Sequence, residues 1–292
     1  MKMRKMRQHP YDMLYIYEIV GRAAGLEGRF GPGYLGCWQE ADYAFLFFES
    51  PSREPVEDFV RKHTGLSYRS ETVMPYQDWE AGDKIRTYRT GPLRIRPPWE
   101  SGGFFPEEGD IIIDPGVVFG SGLHPSTRLC LDAIIRLSGN EGFETVLDLG
   151  CGTGILSLAA ARLGAKSVLA VDNNNLAVQT VRHNVRHNGL DNVVTVVNGE
   201  ALDFLNRRVC LLLANLPMEG LETLASQKEF FHIARWYVLA GMVGSQVHHI
   251  RQKLEEPGTL EIISSEHIDF WFSITASSIM PLRENEISGL NE

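Results

Sequence analysis

The segment Asp148-Leu-Gly-Cys-Gly-Thr-Gly154 constrains this chain more than any other. It closes an apolar strand candidate, Thr145 to Leu149, and opens onto a helix candidate rich in alanine and leucine, Ile155 to Leu163. An ordinary strand-to-helix turn needs one glycine. Glycines at alternate positions (Gly150, Gly152, Gly154) let the backbone turn sharply and approach a ligand with no Cβ in the way. Such a loop suits an open sheet at the point where strand order reverses, because ligands there lie beyond the carboxyl ends of the strands. The dinucleotide fingerprint G-x-G-x-x-G fails here. Gly150 and Gly152 fit it, but position 155 is isoleucine and the last glycine comes one residue early. A nicotinamide cofactor is therefore not expected.

The pattern around the loop supports such a sheet. Ser167 to Val171, Val193 to Val197, Val209 to Ala214 and Tyr237 to Val243 read as short apolar strands, and Leu176 to His187 as a helix. Strands separated by helices predict an α/β fold with a mostly parallel sheet covered on both faces. Leu260 to Ser264 and Phe270 to Thr275 lie close in sequence and are expected to end the sheet as an antiparallel pair. Residues 1–75 read as a small α+β domain. It has strands at Met13 to Val20 and Tyr43 to Phe48 and a helix that starts near Pro55 and ends by Gly65. The glycine-rich stretch Gly21 to Gly36 between those strands is expected to be an irregular loop. Residues 76–110 read as a connector, with a hairpin of Ile85 to Thr90 and Leu93 to Arg96 about Gly91-Pro92. Residues 111–292 are expected to form the α/β domain.

Charge and composition exclude several classes. No stretch approaches the roughly 20 apolar residues of a membrane span. The basic start (Lys2, Arg4, Lys5, Arg7) leads into Met13 to Val20, which carries Glu18 and is too short and polar for a secretory core. A cytoplasmic protein without a membrane role is expected. The net charge of -9 argues against direct nucleic-acid binding and suits a basic partner or a small molecule. Cys37, Cys130, Cys151 and Cys210 form no CxxC pair, so reduced thiols are expected and no metal.

Candidate site residues fall at strand ends. Asp172 ends the strand after the glycine loop, where a carboxylate can accept both ribose hydroxyls of an adenosine. Asn173, Asn174 and Asn175 follow and could each cap the next helix, which leaves the acid another job. Asn215 ends the fourth strand in Leu-Leu-Ala-Asn-Leu-Pro-Met, with Pro217 stiffening the loop. Upstream, Asp114 to Thr127 is glycine-rich and runs into a helix whose first turn suits Pro125 and holds the Ser126 and Thr127 hydroxyls. His183 and His187 stand four apart on a helix, but no H-E-x-x-H exists. Ala177, Val181 and Val185 make that helix's buried stripe, which should leave both histidines toward solvent. Cys151 reads as a spacer within the loop.

The Asp148–Gly154 motif resembles the first motif of the seven-strand S-adenosylmethionine-dependent methyltransferases. Taken with Asp114-Pro-Gly-Val-Val-Phe-Gly-Ser-Gly-Leu-His-Pro-Ser-Thr127, Val171-Asp172 and Ala214-Asn215, the chain is similar to the PrmA family, the methyltransferases of ribosomal protein L11. The resemblance is close from Trp79 to about Leu224. It implies a Rossmann-like seven-strand methyltransferase sheet behind a smaller N-terminal α+β domain that recognises the ribosomal protein. It implies S-adenosyl-L-methionine as cofactor, contacted by Thr127, Gly150, Asp172 and Asn215, with Gly152 and Gly154 completing the loop. Asn215 is also expected to orient the acceptor amine. The implied reaction is methyl transfer to lysine or amino-terminal nitrogen of a basic ribosomal protein. The chain departs from the family at Leu216-Pro217 and at the glycine-rich stretch near Gly21. Asn-Leu-Pro-Met also resembles the Asn-Pro-Pro-aromatic motif of amine methyltransferases, which keeps open another amine acceptor on a protein, nucleic acid or small molecule. A non-catalytic interaction protein on the same fold is the remaining alternative.

Overall fold

A computed structural model describes residues 11–23, 30–40, 42–79, 85–100, 106–107, 109–118, 120–140 and 142–279. The basic start, Gly25, Gly28 and Gly102-Gly103 lie outside them. The N-terminal part comprises β1 (Met13–Val20), β2 (Tyr34–Glu40), β3 (Tyr43–Phe48), α1 (Arg53–Lys62), β4 (Ser67–Pro75) and the short α2 (Tyr76–Trp79). The strands form an antiparallel sheet in the order β2-β3-β1-β4. α1 carries Glu54 in its first turn and Arg61 and Lys62 in its last, matching the helix dipole. It buries Val56 and Phe59 against Tyr17, Ile19, Leu46 and Phe48 on one face of the sheet.

The expectation of an irregular loop from Gly21 to Gly36 is corrected by β2, which starts at Tyr34. Its glycines hid it. Gly33 sits in a turn at φ +94°, and the pairing of β2 with β3 slips by one residue between Tyr34 and Gly36, a β-bulge. A small second sheet follows, of β5 (Tyr88–Thr90), β6 (Leu93–Arg96) and β7 (Asp110–Ile112). The hairpin at Gly91 is present, though its first strand starts at Tyr88 and not at Ile85.

The large sheet uses α3 (Pro125–Asn140), β8 (Thr145–Leu149), α4 (Ile155–Arg162), β9 (Ser167–Asp172), α5 (Asn175–His187), β10 (Val194–Asn198), β11 (Val209–Asn215), α6 (Met218–Ala225), β12 (Ala234–Val243), α7 (Gly244–Glu255), β13 (Leu260–Ile268) and β14 (Trp271–Ser278). Its order is β10-β9-β8-β11-β12-β14-β13. The first five strands in that order are parallel, and β14 and β13 close the sheet antiparallel. One face buries Val146, Leu158, Val181 and Leu213 with α3, α4 and α5. The other buries Leu147, Leu212, Leu221 and Leu254 with α6 and α7. Among the described residues no helix is long and apolar enough to cross a membrane.

The outer face of the N-terminal sheet is not left to solvent. Leu14, Ile16, Phe47 and Tyr76 share a buried cluster with Val117, Val118, Leu176 and Ala177 of the large domain. On α5 the stripe of Ala177, Val181 and Val185 is buried as expected. His187 departs from expectation: it is half-buried, its ring 3.9 Å from that of His183. The turn of α5 that carries it is drawn inward by the amides of Asn184 and Asn188, both buried.

Candidate functional site

Strand order reverses at β8, and the ends of β8, β9, β11 and β12 meet at one mouth of the sheet. Gly150, Gly152 and Gly154 take φ of +72°, +56° and +82°, a region that side chains rarely adopt. Space adds a second demand. A Cβ at Gly150 would lie 2.2 Å from Leu216 Cδ2, and one at Gly154 would lie 2.8 Å from Val181 Cγ1. The first glycine therefore admits the β11 turn, and the last seats the loop on α5.

The Gly152 N–H donates to Asp172 Oδ2 at 3.0 Å, and the Asn174 N–H donates to Oδ1 at 2.9 Å. The Asn174 side chain caps α5 by accepting the Leu176 N–H at 2.9 Å. Asp172 is thus free of capping, as its asparagine neighbours suggested. Burial raises its pKa, and the two backbone hydrogen bonds partly offset that.

Asn215 Nδ2 donates to Thr127 Oγ1 at 3.4 Å, which joins the fourth strand end to the first turn of α3. Thr127 is buried behind Asn215, and its neighbour Ser126 lines the cavity. The glycine-rich segment from Asp114 onward is tied down along its length. Asn184 Oδ1 accepts the Asp114 N–H, and its amide nitrogen donates to the Thr153 carbonyl, each at 2.9 Å. The Tyr76 hydroxyl donates to the Gly116 carbonyl at 2.6 Å, the Trp79 indole to Val117 at 3.1 Å and the Tyr88 hydroxyl to Gly122 at 2.9 Å.

Two adjoining cavities open over this floor, of about 520 and 650 Å³, within the range of small-molecule sites. Gly150, Asp172, Asn173, Leu216 and Glu219 line both. The smaller extends past β10 along Glu200, Ala201 and Leu202. The larger is walled by Trp38, His124, Asn215, Gln246 and Trp271. The His124 and Trp271 rings meet edge to face at 4.5 Å, and burial lowers the His124 pKa.

Asp148 has a part the sequence did not reveal. It is buried beneath the loop, with Ser157 Oγ donating to its Oδ2 at 2.5 Å. Its Oδ1 has no hydrogen-bond partner among the described residues. Burial pushes its pKa up to about 7. An orphaned buried acceptor marks a place for an absent donor. The cavity lining therefore fits an adenosyl amino acid, with a glycine cradle and an acid at the end of β9, while Asp148 lies beneath the loop and lines neither cavity.

Other contributors were also missed. Glu200 lies two residues beyond the end of β10, whose last residue, Asn198, is the one in register with Asp172, so strand-end reasoning does not reach it. Gly241 inside an apolar strand is a sign of a bulge or a close approach. Nothing local marks Trp38 or Trp271. Gly154 lies behind the cavities and lines neither.

Comparison with known proteins agrees with this geometry. The family model described as ribosomal protein L11 methyltransferase (PrmA) matches residues 56–278. The ribosomal protein L11 methyltransferase of Desulforamulus reducens is 34% identical over 184 residues, covering 62% of this chain and 58% of that protein. The one from Syntrophomonas wolfei is 33% identical over 207 residues, covering 68% and 66%. The chain thus spans about three fifths of the length of the curated relatives it matches. The crystal structure of a ribosomal protein L11 methylase from Lactobacillus delbrueckii subsp. bulgaricus aligns with a TM-score of 0.54 at 27% identity, covering 66% of this chain and 98% of that one. Because the family match runs from within α1 to the last residue of β14, through every strand end that meets at the cavities, this chain belongs to the ribosomal protein L11 methyltransferase (PrmA) family.

Proposed function

We propose that the protein is an S-adenosylmethionine-dependent protein N-methyltransferase acting on lysine or amino-terminal amines, with ribosomal protein L11 as the leading substrate. A cytoplasmic site of action and a basic protein partner belong to the same reading. The observation that carries it is the pairing of two lobes over one floor: a glycine cradle with Asp172 at its edge and Asp148 buried beneath it, and beside it a chamber walled by Trp38, Trp271 and His124. Residues 1–75 serve as the recognition domain, 76–110 as the connector and 111–292 as the methyltransferase domain.

S-adenosylmethionine, when bound, supplies a methyl group on a positively charged sulfur that is already activated for transfer. The chain's own task is then placement and exclusion of water. The Asp172 carboxylate would accept from the ribose hydroxyls, and Glu200 and Ala201 would hold the base. Asp148 Oδ1, buried beneath the loop, would be the acceptor for the amino-acid ammonium. The incoming amine must be neutral, because an ammonium has no lone pair. His124 stands in the wall of the acceptor chamber with its pKa lowered by desolvation, and its Nδ1 is held by Ser126, whose N–H donates to it at 3.3 Å and whose hydroxyl lies 2.8 Å away, so the ring serves as a fixed part of the wall. With its nitrogen turned to Thr127, the Asn215 amide leaves its oxygen to orient the amine.

The test is calorimetry with S-adenosylhomocysteine and, separately, NAD. Tight S-adenosylhomocysteine binding without NAD binding is expected. Asp172→Ala is expected to weaken the former by about 1.5–3 kcal/mol, the range for hydrogen bonds to a charged group, in a protein that still folds but melts lower because the Gly152 and Asn174 N–H groups lose their acceptor. Normal binding by that variant would remove the ribose role from Asp172.

A further inference from the structure

We infer that Trp38, carried into the site by the N-terminal sheet, is a specificity-determining residue that narrows the acceptor chamber to a slender, unbranched alkyl amine. The inference rests on the functional reading above and deepens it. The argument begins in strand β2. Tyr34 pairs with Phe48, but Gly36 pairs with Phe47 and Trp38 with Phe45, so Leu35 is an extra residue. A one-residue slip exchanges the two faces of a strand. Phe45 and Phe47 face the cluster shared with the large domain, whereas Leu46 and Phe48 face α1. The slip sets Trp38 on the same side as Phe45 and Phe47. Without it, Trp38 would point at α1 and away from the chamber.

Gly36 lets the strand lie close enough for that to matter. A Cβ there would stand 2.4 Å from Leu176 Cδ1, and Gly36 holds φ +149°. The first turn of α5 therefore presses directly on β2. Trp38 packs on the shared cluster and lines the larger cavity. Trp271 lines it from β14, at the opposite end of the sheet from α5. Asn215, Gln246, Glu219 and His124 supply the polar part of the same wall. Two indoles with a carboxylate and an amide suit a side chain with an apolar stem and a basic nitrogen, since the stem packs on the rings and the cationic form is drawn to their faces. The N-terminal sheet thus shapes the acceptor chamber as well as presenting a surface to a protein partner.

Full-length wild type, Trp38→Ala and Trp38→Phe are compared in methyl transfer to a short lysine-containing peptide and to a bulky branched amine. S-adenosylhomocysteine affinity and binding of the peptide without turnover are measured alongside. Trp38→Ala is expected to raise KM for the peptide at least tenfold and weaken its binding to match. It should narrow the gap between peptide and branched amine, and leave S-adenosylhomocysteine affinity within about twofold. Trp38→Phe should recover most of the peptide KM. An unchanged KM and acceptor preference in Trp38→Ala, with wild type active, would overturn the role of Trp38 alone. Equal loss of S-adenosylhomocysteine binding in both variants would make Trp38 a packing residue and also overturn it. If wild type binds S-adenosylhomocysteine but methylates no amine, the functional reading fails and the role of Trp38 fails with it.

Discussion

Gly241→Ala is expected to lower methyl transfer by about a hundredfold or more and to weaken S-adenosylhomocysteine binding, although Gly241 has no functional group. The residue interrupts β12 at φ +98°, where its pairing with β14 slips between Ala240 and Met242. A left-handed conformation costs an L-residue roughly 1–2 kcal/mol. The larger cost is steric. A Cβ at Gly241 would lie 2.1 Å from the Leu216 carbonyl oxygen, and both are backbone positions that no rotamer change can relieve. The Leu216 N–H is held by the Ala240 carbonyl at 3.0 Å, so the turn after Asn215 is clamped to this bulge. Moving it shifts Asn215 and Leu216 together, and displacement of about 1 Å in a catalytic geometry can cost on the order of a hundredfold. Steady-state kinetics with the melting temperature decides the point. A variant that folds and turns over normally would mean the bulge does not set the position of Asn215.

Asp148→Asn is expected to change stability and cofactor affinity in opposite directions. The Asp148 pKa is pushed up to about 7 by burial, well above its value in an unfolded chain. A carboxyl raised on folding holds its proton more tightly in the native state. It therefore costs stability as pH rises from about 4 to 7, and the full penalty applies above that. The neutral amide escapes this penalty, so the variant should melt above wild type at pH 8 and by a clearly smaller margin at pH 5. Cofactor binding should show the reverse. If the Asp148 carboxylate receives the ammonium, wild-type affinity for S-adenosylhomocysteine should fall as pH drops below about 7 and the group takes up a proton. Asp148→Asn should bind about tenfold or more weakly at pH 8 and lose that pH dependence. Thermal melts and calorimetry at both pH values measure this. Unchanged affinity at pH 8 would show that the orphaned Oδ1 is not the ammonium acceptor.

The parts of the site that were legible in the sequence share a cause. Gly150, Asp172 and Asn215 each terminate a short apolar run, and an α/β sheet brings such ends to one edge. The α/β class and the parallel core followed from the alternation of strands and helices, and the antiparallel closing pair from the short link between the last two strands. What stayed hidden depends on geometry that spacing does not express. Trp38 reaches the chamber only because Leu35 is bulged, and its strand was obscured by Gly33 and Gly36. Asp148 looks like one more residue of strand β8 until its burial and unpaired Oδ1 are seen. His124 and Trp271 are far apart in the chain and meet only because β14 lies beside β12 in the sheet. Helices α6 and α7 carry their apolar residues in short segments that a coarse reading passed over.

One measurement addresses the central claim most directly. The full-length protein is incubated with methyl-labelled S-adenosylmethionine and purified ribosomal protein L11, beside an extract of cells lacking the protein, and the labelled species are identified by mass spectrometry. The expected result is label on lysine or amino-terminal nitrogen of L11, abolished in wild type by excess S-adenosylhomocysteine and strongly reduced in Gly241→Ala. Label on some other amine in the extract, with none on L11, would keep the chemistry and change the partner. No label on any acceptor, from a protein that binds S-adenosylhomocysteine, would contradict the assignment as a methyltransferase.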